Sequence, residues 1–310
     1  MSIILNKKDT TFDQLINIFL TSSNAKGLSE KTIQSYSSHL HLIASFLGQN
    51  RPIIDIKNSD IEAMISDMRN RDLSSNSIQS YLRALSSFMT WCKENDYPYL
   101  VIKPYKGVES LKEPYTDEEL SLLLKKPDMR KCSFEEYRNW VIINLLIDCG
   151  CRAATIRSIQ NRDVDLLNQM IYYRHTKNRQ AQVIPLSSVM TVILKEYTII
   201  RKGSQEDSLF CTSYGAPLSE NALKKAIAKY NKRRGVEKTS IHLFRHTFAR
   251  KYLLNCNGDA FTLQRILGHS TLAMTQHYCK IYNADLLKKF DNNSPLSQFQ
   301  KNTRIKIEKH

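Results

Sequence analysis

The chain has 310 residues, which is enough for two domains of ordinary size. Its composition, 42% hydrophobic and 24% charged, is typical of a folded chain and argues against overall disorder. The formal charge of +15 favours a polyanionic partner, and nucleic acid is the leading candidate. No apolar run approaches the roughly 20 residues that cross a bilayer, so we expect a cytoplasmic protein with no membrane partner.

The positive charge is concentrated in the second part of the chain. Residues 1–112 hold 13 basic and 11 acidic residues, a net of +2, and the remainder holds 32 against 19, a net of +13. The seven cysteines are scattered and include no pair separated by two residues, so we expect reduced thiols and no metal site. We therefore expect the polyanion to bind mainly to the second part.

The first hundred residues predict a bundle of helices. Apolar residues recur at helical spacing in four stretches, at residues 12–19, 33–46, 61–68 and 78–89. Serines precede the second and fourth stretches as candidate N-caps. Both of these helices also share an Ile-Gln-Ser-Tyr sequence near their start, which we interpret as common helix-start chemistry and not as a repeat.

A linker follows the bundle, because Pro98 and Pro104 break the helical pattern and residues 103–114 mix Pro, Gly and Lys. A capping box beginning at Thr116 then predicts the first helix of a second domain. The predicted organisation has four parts: a helical domain at 1–105, a linker at 106–115, a second domain at 116–290 and a polar tail at 291–310.

The second domain is predicted to be mostly helical with a small sheet. Residues 136–149 are typical of a buried helix, and residues 169–186 predict two short strands joined by a turn. Further helices are expected near residues 187–201, 219–233, 243–255, 260–267 and 271–280. The fold class is therefore mainly α with a small antiparallel β-sheet.

Four segments of this domain carry reactive side chains. They are Asp148-Cys149-Gly150-Cys151-Arg152, Thr176-Lys177-Asn178-Arg179, His242-Leu243-Phe244-Arg245-His246, and Leu267-Gly268-His269 with Thr275-Gln276-His277-Tyr278. In this order and spacing the chain resembles the tyrosine recombinases, the family of phage and transposon integrases and Xer-type recombinases. The resemblance implies a helical core-binding domain that clamps DNA, followed by a mixed α/β catalytic domain.

The resemblance also implies a role for each reactive residue. Tyr278 is the expected nucleophile, and Tyr282 is an alternative. Lys177 is the expected general acid that protonates the leaving 5′ oxygen, with Arg179 and His175 as alternatives. The resemblance implies that DNA is cut through a 3′-phosphotyrosine and exchanged through a Holliday junction, with no cofactor and no metal.

The phosphate chemistry supports the remaining assignments. Two guanidinium groups can hold both nonbridging oxygens of a phosphodiester and stabilise its transition state, a task that falls to Arg152 and Arg245. His242 and His269 would bond the phosphate oxygens or accept the tyrosine proton, and His246 is interpreted as structural.

Two positions depart from the family pattern. The family usually has Glu where this chain has Thr155 and Asp where it has Leu243, which leaves open how Arg152 and the His-x-x-Arg helix are braced.

A set of basic residues before His242 predicts contacts with the DNA backbone. The alternative is a charged face exposed to solvent. The residues are Lys224, Lys225, Lys229, Lys232, Arg233 and Arg234.

The expected partners are double-stranded DNA with recombination sites and further copies of the chain. The resemblance implies a dimer on one site and a homotetramer on two, held through the amphipathic residues 285–290. Two other functions stay open: relaxation of DNA by a type IB topoisomerase-like activity, and an architectural DNA-binding protein without catalysis.

Overall fold

The computed structural model describes residues 10–105, 107, 113–174, 181–254, 258–272 and 274–275. These residues divide between two compact units, Met1–Leu111 and Lys112–His310. They form mostly helices together with one three-stranded antiparallel sheet, which confirms the predicted fold class. Within the described ranges, no helix combines the length and the apolar character that a membrane span requires.

Among its described residues, the N-terminal unit has four α-helices, which lie where the apolar periodicity predicts them. They are α1 (Phe12–Ala25), α2 (Glu30–Leu47), α3 (Asn58–Asn70) and α4 (Ser75–Glu94). The hydroxyl of Ser29 accepts the backbone N–H of Thr32 at the start of α2, and that of Ser74 accepts the N–H of Ser77 at the start of α4. The two similar sequences therefore provide the same capping chemistry.

An aromatic cluster forms the centre of the N-terminal core. The rings of Phe12 and Phe19 meet Phe88 edge-on, with centroids 5.3 and 5.6 Å apart, and Phe19 also meets Trp91 at 5.7 Å. Edge-to-face pairs of this kind add to the free energy gained from burial. Because these rings come from α1 and α4, they fix the first and last helices of the unit together.

The C-terminal unit contains seven α-helices among its described residues. They are α5 (Asp117–Leu124), α6 (Phe134–Cys149), α7 (Ala153–Ser158), α8 (Ser188–Arg201), α9 (Glu220–Arg233), α10 (Ile241–Leu254) and α11 (Ala260–Leu267). The predicted capping box is present, since the Thr116 hydroxyl accepts from Glu119 while the Glu119 carboxylate accepts from Thr116. Helix α7 is an addition to the predicted elements, because six residues are too few to show a periodic pattern.

Helix α6 is the central element of this unit. Its residues from Trp140 to Leu146 are buried except for Asn144, because α5, α8, α9 and α10 cover it. Gly150 ends it in the left-handed conformation, with φ of +59°. A Cβ at this position would lie 2.3 Å from the ring of Phe248, so both the backbone and the packing require glycine.

The sheet consists of β1 (Val164–Asp165), β2 (Met170–Tyr173) and β3 (Gln182–Pro185), in that order. Strands β2 and β3 pair with Ile171 opposite Ile184, as the two predicted strands require. Strand β1 is an addition to the prediction, because two residues give no alternation to recognise. The predicted turn between β2 and β3 lies outside the described residues.

Besides the main core around α6, the C-terminal unit has a smaller core that holds α11 against α10. It consists of five buried side chains: Phe248, Ala249, Leu253, Leu263 and Leu267. The packing brings the end of α11 beside the middle of α10 and the end of α6. Three helices thus meet where the reactive segments of the sequence come together.

Candidate active site

The turn that ends α11 is the meeting point of the candidate site. Gly268 lies in the left-handed conformation with φ of +62°, so α11 stops at Leu267. The last carbonyls of a helix have no partner within the helix. Here Arg245 Nη2 donates to Leu267 O at 2.8 Å, and Arg152 Nη2 donates to Gly268 O at 3.3 Å. Two arginines from distant segments therefore converge on two successive carbonyls.

Arg245 is the more deeply buried of the two arginines, with 6% of its surface exposed. Its Nη1 donates to Gly150 O at 2.9 Å, at the end of α6. The guanidinium thus bonds the C-terminal ends of both α6 and α11, where the helix dipoles favour a positive charge. This arrangement fixes a cation in the interior of the unit through two main-chain carbonyl groups.

Arg152 lies two residues after Gly150 and is half-buried. Its backbone is extended and provides the N-cap position of α7, so the chain turns sharply between α6 and α7. Nearby, the Asp148 carboxylate accepts the backbone N–H of Ser187 at 3.1 Å. That bond fixes the end of α6 to the start of α8 and so limits the movement of the segment that carries Arg152.

His269 is buried beside Arg245. Its Nε2 lies 2.8 Å from Arg245 Nη2, and its Nδ1 lies 2.8 Å from the hydroxyl of the fully buried Thr275. Burial, together with the positive charges of Arg245 and Arg152, lowers the pKa of His269 to about 4. The imidazole is therefore neutral at physiological pH.

The His-x-x-Arg segment forms part of α10. His242 is exposed and lies one helical turn before Arg245, so both side chains project from the same side of the helix. His246 is half-buried. A cleft of about 820 Å³ between β3 and α11 is lined by His269, Gln182 and Arg265, among others.

Tyr115 braces α10 in a way that the sequence did not indicate. Its ring stacks on Phe244 with the centroids 4.3 Å apart, and its backbone N–H donates to the Thr247 hydroxyl at 3.0 Å. That hydroxyl donates in turn to Leu243 O at 2.8 Å. The two contacts of Tyr115 join residues more than 120 positions apart, so no local pattern could have predicted them.

The two departures from the family pattern are buried. Thr155 lies in α7 and is 5% exposed, and Leu243 lies in the main core of the unit and is also 5% exposed. Leu243 therefore contributes apolar packing at the position where the family usually has Asp.

Sequence comparisons match both units to one family. The family model described as "Phage integrase family" matches residues 115–284, and the model described as "Phage integrase, N-terminal SAM-like domain" matches residues 15–99. The first match alone covers more than half of the chain. The chain belongs to the phage integrase family. This membership confirms the resemblance of the sequence to the tyrosine recombinases.

Relatives of this integrase-family chain match over nearly their full length. Tyrosine recombinase XerA of Saccharolobus solfataricus is 26% identical over 288 residues, which cover 89% of this chain and 91% of the relative. Tyrosine recombinase XerD of Staphylococcus haemolyticus is 27% identical over 282 residues, covering 87% and 94%. The chain is thus a tyrosine recombinase, and it matches these relatives over most of its own length and of theirs.

Solved structures show the same fold. The Tn1549 transposon integrase in complex with transposon right end DNA matches with a TM-score of 0.75 at 19% identity, covering 91% of this chain and 99% of that one. A lambda integrase dimer bound to a COC′ core site matches with a TM-score of 0.69 at 16% identity, covering 98% and 83%.

The structure brings together three of the six predicted catalytic residues of this integrase-family chain, Arg152, Arg245 and His269, with His242 one turn along α10. The other two predicted residues, Lys177 and Tyr278, lie outside the described residues. The same holds for the alternatives His175, Arg179 and Tyr282, for the predicted helix beyond residue 275, and for residues 285–310.

The basic residues predicted to contact DNA divide into two groups. Lys225, Lys229, Lys232 and Arg233 are exposed on α9, as is Lys224, whose ammonium lies 2.7 Å from Glu220. Arg234 instead points into the unit. Its guanidinium donates to Lys125 O at 3.0 Å, lies 5.0 Å from the centre of the Tyr230 ring and pairs with Glu136 at 3.4 Å.

The thiols beside the arginines are not arranged as a metal centre. Burial raises the pKa of Cys151 to about 12 and raises the pKa of Cys149 well above its usual range, so both thiols stay protonated. Among the residues that the structure describes, no group of three or more His, Cys, Asp or Glu side chains could hold a metal ion.

Proposed function

We propose that the chain cuts and rejoins DNA at specific sites with the hydroxyl of Tyr278, forms a 3′-phosphotyrosine, and exchanges strands through a Holliday junction. The observation that carries this proposal is the convergence of Arg152, Arg245 and His269 on one turn, because a phosphodiester needs two cations and a proton carrier at one place. Family membership supports recombination over the two alternatives.

Arg152 and Arg245 are the proposed phosphate ligands. Arg245 is held by two backbone carbonyls, so its position requires no rearrangement when the anion arrives. A preorganised cation in a buried setting stabilises the charge of the five-coordinate transition state more than a mobile surface cation does. His242, one turn away on α10, is proposed to bond a phosphate oxygen.

Tyr278 and Lys177 complete the proposed mechanism. The phenol of Tyr278 gives its proton to His242 or His269 and attacks phosphorus, the bond from phosphorus to the 5′ oxygen breaks, and Lys177 gives that oxygen a proton. The phosphotyrosine keeps the energy of the broken bond, so the free 5′ hydroxyl reseals the strand by the reverse reaction. The proposal includes no metal and no cofactor.

The proposed organisation follows the two units. Residues 1–105 are proposed to be the core-binding domain and residues 116–290 the catalytic domain, joined by a linker at 106–115. Four exposed residues of α9, Lys225, Lys229, Lys232 and Arg233, are the proposed backbone contacts. Two copies on each site, and four on two sites, would assemble through residues 285–290, in the cytoplasm.

The nucleophile is tested with a nicked substrate whose short 5′ fragment diffuses away after cleavage and leaves the covalent adduct trapped. We expect the wild type to form an adduct that survives denaturation. Tyr278→Phe should abolish the adduct, because only the hydroxyl is removed. Tyr282→Phe is the matched control and should retain it. An adduct that persists in Tyr278→Phe and disappears in Tyr282→Phe would transfer the role to Tyr282.

The general acid is tested with a substrate that carries sulfur in place of the bridging 5′ oxygen. A thiolate leaves without a proton far more readily than an alkoxide, since a thiol has a pKa near 8.5. Lys177→Ala should therefore be slow on the ordinary substrate and fast on the sulfur substrate, whereas Arg179→Ala should behave like the wild type on both. Slow cleavage of both substrates by Lys177→Ala would contradict the assignment.

Two assays separate the alternatives. A recombinase exchanges the flanks of two sites, and the new junctions are detected by their length. A relaxing enzyme removes supercoils from a plasmid with one site and yields no exchanged product. A binding protein shifts the DNA and forms no adduct.

A further inference from the structure

We propose that Thr275 is a positioning residue that accepts the Nδ1–H of His269 and, together with Arg245, holds the tautomer in which Nε2 is unprotonated. The inference rests on the proposed function, because it concerns the histidine of that site. It gives a role to Thr275, to which neither the motifs nor the phosphate chemistry assigned one.

The direction of the two hydrogen bonds follows from the chemistry of arginine. A guanidinium has only N–H donors and no acceptor. Arg245 Nη2 lies 2.8 Å from His269 Nε2, so this nitrogen must offer its lone pair. A neutral imidazole carries one proton, which therefore belongs to Nδ1. The Nδ1–H then donates to the Thr275 hydroxyl at 2.8 Å.

The opposite tautomer is disfavoured at this position. A proton on Nε2 would point directly at the N–H of Arg245, and a proton on both nitrogens would place two cations in contact. The charged groups that act on the ring, Arg245 from α10 and Arg152 from the segment before α7, are both positive. Burial adds to their effect, and the lowered pKa of His269 agrees with a neutral ring.

Thr275 is suited to this role by its burial. It has no exposed surface, whereas hydroxyl residues are mostly found at the protein surface. A buried hydroxyl that lost its partner would carry a desolvation cost, so the bond to His269 accounts for a polar residue here. Thr275 also precedes Tyr278 by three residues in the chain.

The tautomer determines what His269 can do. A ring with its proton on Nδ1 accepts a hydrogen bond at Nε2 and donates none from that atom. Of the two roles open to this residue, donation to a phosphate oxygen does not fit this state, and acceptance of the tyrosine proton is opposed as long as Arg245 occupies Nε2. Thr275 and His269 thus form a hydrogen-bonded chain that ends on the guanidinium of Arg245, the proposed phosphate ligand.

The tautomer can be read directly by NMR on the full chain labelled with ¹⁵N-histidine, with His269→Gln to assign the signals. We expect a pyrrole-like Nδ1 and a pyridine-like Nε2 in the wild type and in Thr275→Ser, which keeps the hydroxyl. Thr275→Val removes the acceptor of the Nδ1–H at nearly constant shape, so the Nδ1 signal should shift and the preference for this tautomer should weaken. If the valine variant does not fold, Thr275→Ala provides the same comparison.

A protonated Nε2 in the wild type, or an unchanged pattern in folded Thr275→Val, would overturn the proposal. Adduct formation gives the second readout. Thr275→Val should slow the single-turnover rate by about 10- to 100-fold, as for other residues that orient a histidine, with unchanged affinity for DNA. Thr275→Ser, which keeps the hydroxyl, should cleave at the single-turnover rate of the wild type. If His269→Gln cleaves as fast as the wild type, the proposed role of His269 fails, while the NMR result still decides the role of Thr275.

Discussion

Replacement of Gly268 by alanine tests the geometry of the turn on which the arginines converge. The backbone at Gly268 has φ of +62°, which costs a residue with a Cβ about 1–2 kcal/mol. The new Cβ would lie 2.5 Å from Gln182 Oε1 and 2.6 Å from Nε2, so this side chain must move. Its bond to Arg265 O, 3.1 Å long, would then be lost at a cost of about 0.5–1.5 kcal/mol. We expect the free energy of unfolding to fall by about 2–3 kcal/mol.

The measurement is urea unfolding followed by the fluorescence of Trp140, which is buried in the C-terminal unit. The background is Trp91→Phe, because the sequence contains two tryptophans and Trp91 lies in the N-terminal unit. Gly215→Ala is the matched control, since Gly215 has φ of +83° and nothing within 4 Å of the added Cβ. It should show only the backbone cost.

A double-mutant cycle isolates the contact with Gln182. In a Gln182→Ala background, Gly268→Ala should cost only the backbone contribution, about 1 kcal/mol less than in the wild type. An equal loss of stability in both backgrounds would refute the reasoning, because the Gln182 side chain could not then be what the new Cβ meets.

Two further predictions concern charge. Because the pKa of His269 is lowered from 6.5 to about 4, the unfolded chain binds the proton more readily. The free energy of unfolding should therefore fall as the pH is lowered from about 6.5 to about 4, and His269→Gln should flatten this slope in urea titrations; an unchanged slope would contradict the lowered pKa. On α9, Lys225→Ala and Lys229→Ala should each weaken DNA binding and reduce the slope of log affinity against log salt by about 0.9. Arg234→Ala should leave that slope unchanged and lower stability by about 1–3 kcal/mol, because its guanidinium bonds Lys125 O and Glu136; a change in its salt slope would assign it to DNA instead.

Much of the fold was predictable because its signals are local. The apolar residues of α6 follow one another closely between Trp140 and Ile147, and the serine caps of α2 and α4 act on residues three positions away. The family motifs likewise identified Arg152, Arg245 and His269. Strand β1 and helix α7 were not predicted, since two and six residues are too short for a period to emerge.

The contacts that arrange the site were not predictable, because they depend on tertiary packing. Arg234 follows five basic residues of α9, and the sequence predicts one more exposed cation there, yet its side chain turns inward to Tyr230 and Glu136. The stacking of Tyr115 on Phe244 and the bond between His269 and Thr275 also have no counterpart in periodicity or composition.

The way Arg245 is held has a consequence for how the sequence can vary. Its bonds to Gly150 O and Leu267 O are made to the main chain, so they do not depend on which side chain stands at either position. A bond to a carboxylate is lost when a single codon changes, whereas these two bonds depend on where two helices end. The glycines that end those helices, Gly150 and Gly268, are therefore the positions at which a substitution would disturb the arginine.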